Sequence, residues 1–124
     1  MVKTDSRQLK FLNEDTVELR YHDNITIELK DVINDYLVYD DFTNKKAVKK
    51  LIIAGMHTSI TNDARVAIKE ENLKRASFIK AEAIVIDSLA QRMFGNFYLR
   101  MMRNKYPIKI FTSVEDARNW LEQF

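Results

Sequence analysis

The chain is predicted to be α/β (α+β by a stricter convention), with elements in the order β-β-α-β-α-β-α-β-α. Three observations carry that expectation. Two short stretches near the start alternate apolar and polar residues, two later runs are almost continuously apolar, and amphipathic helical patterns fall between the strands. Strands alternating with helices imply a mixed, mostly parallel sheet covered by helices, with the first hairpin as its antiparallel edge. At 124 residues the chain is one domain's worth of polypeptide.

Each element has a local reason. Gln8–Leu12 and Thr16–Tyr21 alternate around Asn13-Glu14-Asp15, the pattern of a β-hairpin. Asp23-Asn24-Ile25-Thr26 offers capping side chains, and Leu29, Val32, Ile33, Tyr36 and Tyr39 follow at helical spacing to about Asp41. Lys49–Gly55 reads as a strand covered on both faces. Thr61-Asn62-Asp63 caps a second, charged helix to about Arg75, with Ala64, Ala67 and Ile68 inward. Ala81–Asp87 is another buried strand, and Ser88 caps a third helix to about Arg103. Pro107 opens the strand Ile108–Thr112, where a missing N–H matters least. Ser113 with Asp116 resembles a capping box for a last helix that buries Val114, Ala117, Trp120 and Leu121.

Composition excludes several function classes. With 20 Lys+Arg against 18 Asp+Glu the charge is nearly balanced, so nucleic acid is not expected as a partner. The absence of Cys removes disulfides, thiol nucleophiles and thiolate metal sites. Met1–Asp5 lacks the apolar run of a signal peptide, and the longest apolar stretches are far short of a membrane span. The expectation is a cytoplasmic protein with no transmembrane segment and no cofactor.

The run Lys80–Asp87, the helix containing Arg92-Met-Phe-Gly-Asn-Phe97, the strand Pro107–Phe111 and the closing Val114–Leu121 together resemble the STAS/CRAL-TRIO-like family of small bacterial proteins, relatives of the anti-sigma-factor antagonists. "KKLIIAG" and "ITNDAR" upstream fit the same layout. The resemblance implies a SpoIIAA-like, non-enzymatic regulatory or protein-interaction module, partner-switching in type. Its CRAL-TRIO side implies the alternative, a carrier or sensor of a small apolar or anionic-lipid ligand. Antagonists of this type carry a phosphorylated Ser or Thr after the third strand, and the corresponding stretch here is Gly55–Thr61, without their Asp-Ser-Ser-Gly-like signature.

Within that loop Ser59, Thr61 and Thr58 are candidate phospho-acceptors. A phosphate at a helix N-terminus meets free N–H groups and the dipole, and Arg65 lies one turn on. Thr61 or Ser59 serves equally well as a plain N-cap. His57 next to Ser59 has the residue types of a base and a nucleophile, but no acid is placed to orient them. His22 and His57 have no partners at metal-ligand spacing, so no metal is expected. Glu28, Asp31 and Asp35 share one face of the first helix and read as a solvated acidic stripe.

The third helix is apolar over more than one contact needs. At 100° per residue, Leu89, Met93, Phe97, Ala90, Met101, Phe94, Tyr98 and Met102 spread over roughly 220°. Packing on a sheet takes about half of that. The excess predicts an interface or ligand surface built from Arg92, Met93, Asn96, Tyr98, Leu99, Arg100, Met102 and Arg103. It would serve a homodimer seam, an unidentified protein partner or the lip of an apolar or lipid cavity.

Overall fold

A computed structural model describes residues 1–124. The hairpin forms as strands β2 (Arg7–Phe11) and β3 (Thr16–Tyr21), with a two-residue strand β1 (Val2–Lys3) outside it. Helix α1 (Leu29–Thr43) leads to β5 (Val48–Ile53), α2 (Asn62–Lys74) to β7 (Ile79–Val85), and α3 (Leu89–Met102) to β8 (Ile108–Phe111); α4 (Val114–Leu121) closes the chain. The main sheet runs β1-β2-β3-β5-β7-β8, antiparallel over the first three strands and parallel from β3 onward. The predicted α/β class and strand–helix order are those of the structure.

Three short strands are absent from the sequence reading: β1, outside the hairpin, and a pair elsewhere. β4 (Thr26–Ile27) pairs in parallel with β6 (Ser59–Ile60), forming a two-stranded ladder apart from the main sheet. Thr26 therefore does not cap α1. Glu28 holds that position, and the Asp31 carboxylate accepts from its N–H at 2.9 Å. A single 3₁₀ turn, Ala76–Phe78, joins α2 to β7. The other caps are those expected: the hydroxyls of Thr61, Ser88 and Ser113 accept from Ala64, Gln91 and Asp116.

Three helices share one face of the sheet. Leu9, Val17, Leu19 and Ile84 meet Val32, Tyr36 and Tyr39 of α1, Ala64 and Ile68 of α2, and Tyr98 and Met102 of α3 in the larger core. On the other face Leu51, Ile53, Ala81, Ala83 and Val85 pack against Ala117 and Leu121 of α4. The alanines in β7 bring α4 close, and the small residue Gly95 does the same for α3: a Cβ there would stand 3.1 Å from Ile110 Cδ1.

The inward face of α1 is rotated from the one read off the spacing. Leu29 and Ile33, read at the apolar spacing, are exposed, whereas Asp35, expected in a solvated acidic stripe, is buried. Its carboxylate accepts from the hydroxyls of Thr4 and Ser6 and stands 3.6 Å from Arg7 Nε. A buried cation on β2 thus turns the acidic edge of the helix inward, since a buried charge is retained only where it is paired.

Candidate functional site

β2, β3, β5 and β7 each point every second residue toward the three-helix face. At Leu9, Val17, Leu19 and Ile84 this fills the core, but the same alternation also places Arg7, Tyr21, Lys50 and Glu82 inside. Lys50 and Glu82 are register partners across β5 and β7. Lys50 Nζ donates to Asn72 Oδ1 at 2.9 Å, and Asn72 Nδ2 donates to the Tyr98 hydroxyl at 2.7 Å. The hydroxyls of Tyr98 and Tyr106 donate to Glu82 Oε2 at 3.1 and 2.5 Å. Burial pushes the Lys50 ammonium down to about 8, against the opposing pull of Glu82. Burial and the Glu82 charge push both tyrosines upward.

A pocket of about 170 Å³ opens beside this network, between the sheet and the helices. Tyr21, Ile52, Ala54, Glu82, Ile84 and Ile86 line it from the sheet. Tyr36 contributes from α1; Arg65, Ile68 and Asn72 from α2; and Ala90, Gln91, Phe94, Gly95 and Tyr98 from α3. Ile27, Thr58, Ser59 and Ile60 form the β4–β6 side. The wall is mainly apolar, with a few polar groups at fixed positions, the usual make-up of a small-molecule site.

Arg7 also lines this pocket and is almost wholly buried. Nη1 donates to the Tyr21 hydroxyl at 3.1 Å and Nη2 to the Asp35 carbonyl at 3.2 Å. Its guanidinium lies over the Tyr21 and Tyr36 rings. Burial alone would lower its pKa, but the fields of Tyr21 and Asp35 outweigh that and hold it above its ordinary value. Nε is the one buried side-chain polar atom with no hydrogen-bond partner. At the far edge Arg75 clamps α1 to α2, donating from Nε and Nη2 to both Asp40 oxygens at 2.8 Å while lying over Tyr36.

The loop singled out in the sequence is the rim of the pocket. Thr58 donates to the His22 carbonyl, and the Ser59 hydroxyl pairs with Thr26 at 3.0 Å. Thr61 is the helix cap, and Ser59 lies in β6, two residues outside the helix, rather than at its start. Arg65 lines the pocket with its guanidinium over the Phe94 ring. His57 is exposed in a left-handed turn, while the Ser59 hydroxyl is engaged with Thr26, so the two form no base–nucleophile pair. Gly55 is fixed by close approach: a Cβ there would overlap the His22 carbonyl and the Thr58 hydroxyl. Gly55→Ala is expected to destabilise the fold by about 1–3 kcal/mol, read from urea unfolding midpoints at unchanged slope.

The surface predicted on α3 divides. Tyr98 and Met102 do not belong to it: both are buried, because the side of α3 that meets the sheet is centred on Gly95, Tyr98 and Met102. Arg92, Met93, Asn96, Arg100 and Arg103 are exposed and Leu99 is half-buried. Leu89, Met93, Phe97 and Met101, spaced one turn apart, form an exposed apolar stripe.

Arg7, Tyr21, Tyr36, Asn72 and Glu82 were missed as site residues, although a signal was present. Buried parallel strands read as almost unbroken apolar runs, and Lys50 and Glu82 interrupt theirs at inward positions. Arg7 stands two residues before Leu9 on the same alternation.

This architecture and its comparisons define a STAS-like fold. A crystal structure of an uncharacterised protein of the DUF3478 family from Shewanella loihica PV-4, described as having a SpoIIAA-like fold, superposes with a TM-score of 0.70. The alignment covers 98% of each chain at 14% identity, a likeness of fold alone. The chain belongs to the family described as "Domain of unknown function (DUF7793)", whose model matches residues 10–124. No protein of curated function matches the sequence. No helix is long and apolar enough to cross a membrane.

Proposed function

We propose that this domain is a non-enzymatic STAS-like regulatory module whose input is a small molecule held in the pocket between the sheet and the three helices. The observation that carries the reading is the pocket itself: largely apolar walls, four aromatic rings and a few buried polar groups fixed by the fold. Its volume is that of a single ring with a short substituent, which supports the small-molecule form of the ligand alternative. Helix α3 forms one wall and carries the exposed apolar stripe on another side, so it connects occupancy to a surface where a protein partner or second copy can dock.

Native mass spectrometry of the purified chain tests the input. The expected result is a small co-purified mass lost on denaturation, or, for protein washed free of it, a rise in Tm with single-ring compounds. A ligand at 100 times its Kd adds about 2.7 kcal/mol of stability. A bare mass together with an unmoved Tm across such compounds would overturn the reading.

The rim loop offers a second control point, because Ser59 is exposed and lines the pocket. Ser59→Asp is expected to change partner affinity while Ser59→Ala, which loses one exposed hydrogen bond to Thr26, leaves Tm within about 2 °C. Wild-type affinity in both variants, measured against a captured partner, would remove phosphorylation at Ser59 from the scheme.

A further inference from the structure

We infer that the pocket's ligand is a small aromatic monocarboxylate, its ring among the apolar walls and its carboxylate accepting from Arg7 Nε. The inference rests on the pocket-binding reading above and adds the chemical class.

The first observation is the orphaned donor. Arg7 is 1% exposed, its two terminal nitrogens are committed to Tyr21 and Asp35, and Nε stays unpaired in a residue that lines the pocket. The nearest carboxylate, Asp35, stands 3.6 Å away, beyond hydrogen-bond reach, and already accepts from Thr4 and Ser6. A buried donor on a charged group is costly to leave unmade, so an acceptor brought by a ligand gains what the fold withholds. Nε is the one guanidinium nitrogen with no partner at all, and it carries a single N–H, which calls for an end-on contact at that atom.

The second observation is charge. Arg7 and Arg65 face the pocket as cations and Glu82 as a carboxylate. Immediately behind, Lys50 contacts Asn72, and Asp35 neighbours Arg7. The four buried charges balance, two against two, and the exposed Arg65 at the mouth is the one unmatched cation, which a monoanion answers and a dianion such as a phosphate monoester would overshoot.

The third is size and shape. A cavity of about 150 Å³ takes benzene, and this one is about 170 Å³, with Tyr21, Tyr36, Phe94 and Tyr98 among its lining.

Benzoate, benzyl alcohol and toluene separate these terms on the full chain, by titration with ¹⁵N-NMR detection of arginine Nε–H. Benzoate is expected to bind at least ~10-fold tighter than either neutral compound and to shift the Arg7 Nε–H signal. Arg7→Lys is expected to abolish that preference while toluene binding persists; should this variant not fold, the wild-type series decides alone. Equal affinity for all three compounds overturns the carboxylate assignment and leaves the pocket reading standing, as does a benzoate shift confined to Arg65. If none of the three binds, or if Ile84→Phe, which puts a ring into the pocket, leaves their binding unchanged, both readings fall.

Discussion

Glu82→Leu should be among the most damaging single substitutions in this protein. Glu82 is wholly buried, accepts from Tyr98 and Tyr106, and is the register partner of Lys50. Removing it strands a buried ammonium without its countercharge, a defect worth about 3–5 kcal/mol. Two tyrosine hydroxyls also lose their acceptor, at about 1–3 kcal/mol each where no other partner is found. Against a typical total stability of about 5–15 kcal/mol, the variant should be largely unfolded near 37 °C. The double variant Lys50→Met/Glu82→Leu should recover the share of the loss due to the stranded ammonium, and not that of the two tyrosine hydroxyls, which still lack their acceptor. Urea unfolding of the single and double variants gives the coupling directly. A double variant no more stable than Glu82→Leu would show that the pair is not what binds these positions together.

The second large effect is an alkaline stability maximum. Lys50 titrates near 8 in the folded protein against 10.5 for an ordinary lysine. Between those values the unfolded chain holds a proton that the folded chain has released, so stability rises with pH across that window. When complete, the gain is about 3 kcal/mol. The buried tyrosines act in the opposite sense. Tyr36, Tyr98 and Tyr106 are pushed above 10 chiefly by burial, so above that pH the unfolded tyrosines ionise first. The folded state then holds more protons, and stability falls as pH rises. Urea midpoints should climb from neutral pH, peak between about 9 and 10, and then drop. Lys50→Met should lose the climb and keep the drop. A wild-type midpoint that stays flat across the climb would mean that Lys50 is not held at a depressed pKa.

The sheet and its helices were legible because their signals are local. Alternation in Thr16–Tyr21, largely apolar runs around Leu51 and Ala83, and hydroxyls at Thr61, Ser88 and Ser113 each act within a few residues. The site was legible only at its rim and along α3. Arg7 and Asp35 lie 28 positions apart and Lys50 and Asn72 lie 22 apart, so neither pairing has a periodicity to betray it. Asp35 shows the limit most clearly. Helical spacing placed it with Glu28 and Asp31 on a wet face, and what reverses the assignment is one arginine on a different element. The β4–β6 ladder escaped for a related reason: two residues per strand are too few to alternate.

The order in which the strands lie beside one another also decides where a ligand can sit. From β3 through β5 and β7 to β8 each strand is laid on the same side of its predecessor, and the direction never reverses. Right-handed crossovers then put α1, α2 and α3 in one layer. Open α/β sheets that bind nucleotides use the crevice at the carboxyl ends of strands, where the winding direction changes and adjacent helices diverge to opposite faces. This sheet has no such switch along its parallel strands. Its hollow lies beneath the helices, walled by inward strand side chains such as Glu82 and Ile84 as well as by the strand ends at Ala54 and Ile86 and the first turns of α2 and α3 at Arg65 and Gln91. Recognition there falls to inward-pointing side chains such as Arg7 on β2 and Tyr98 on α3, so a single substitution on the sheet or on that helix can change the ligand while the backbone stays as it is.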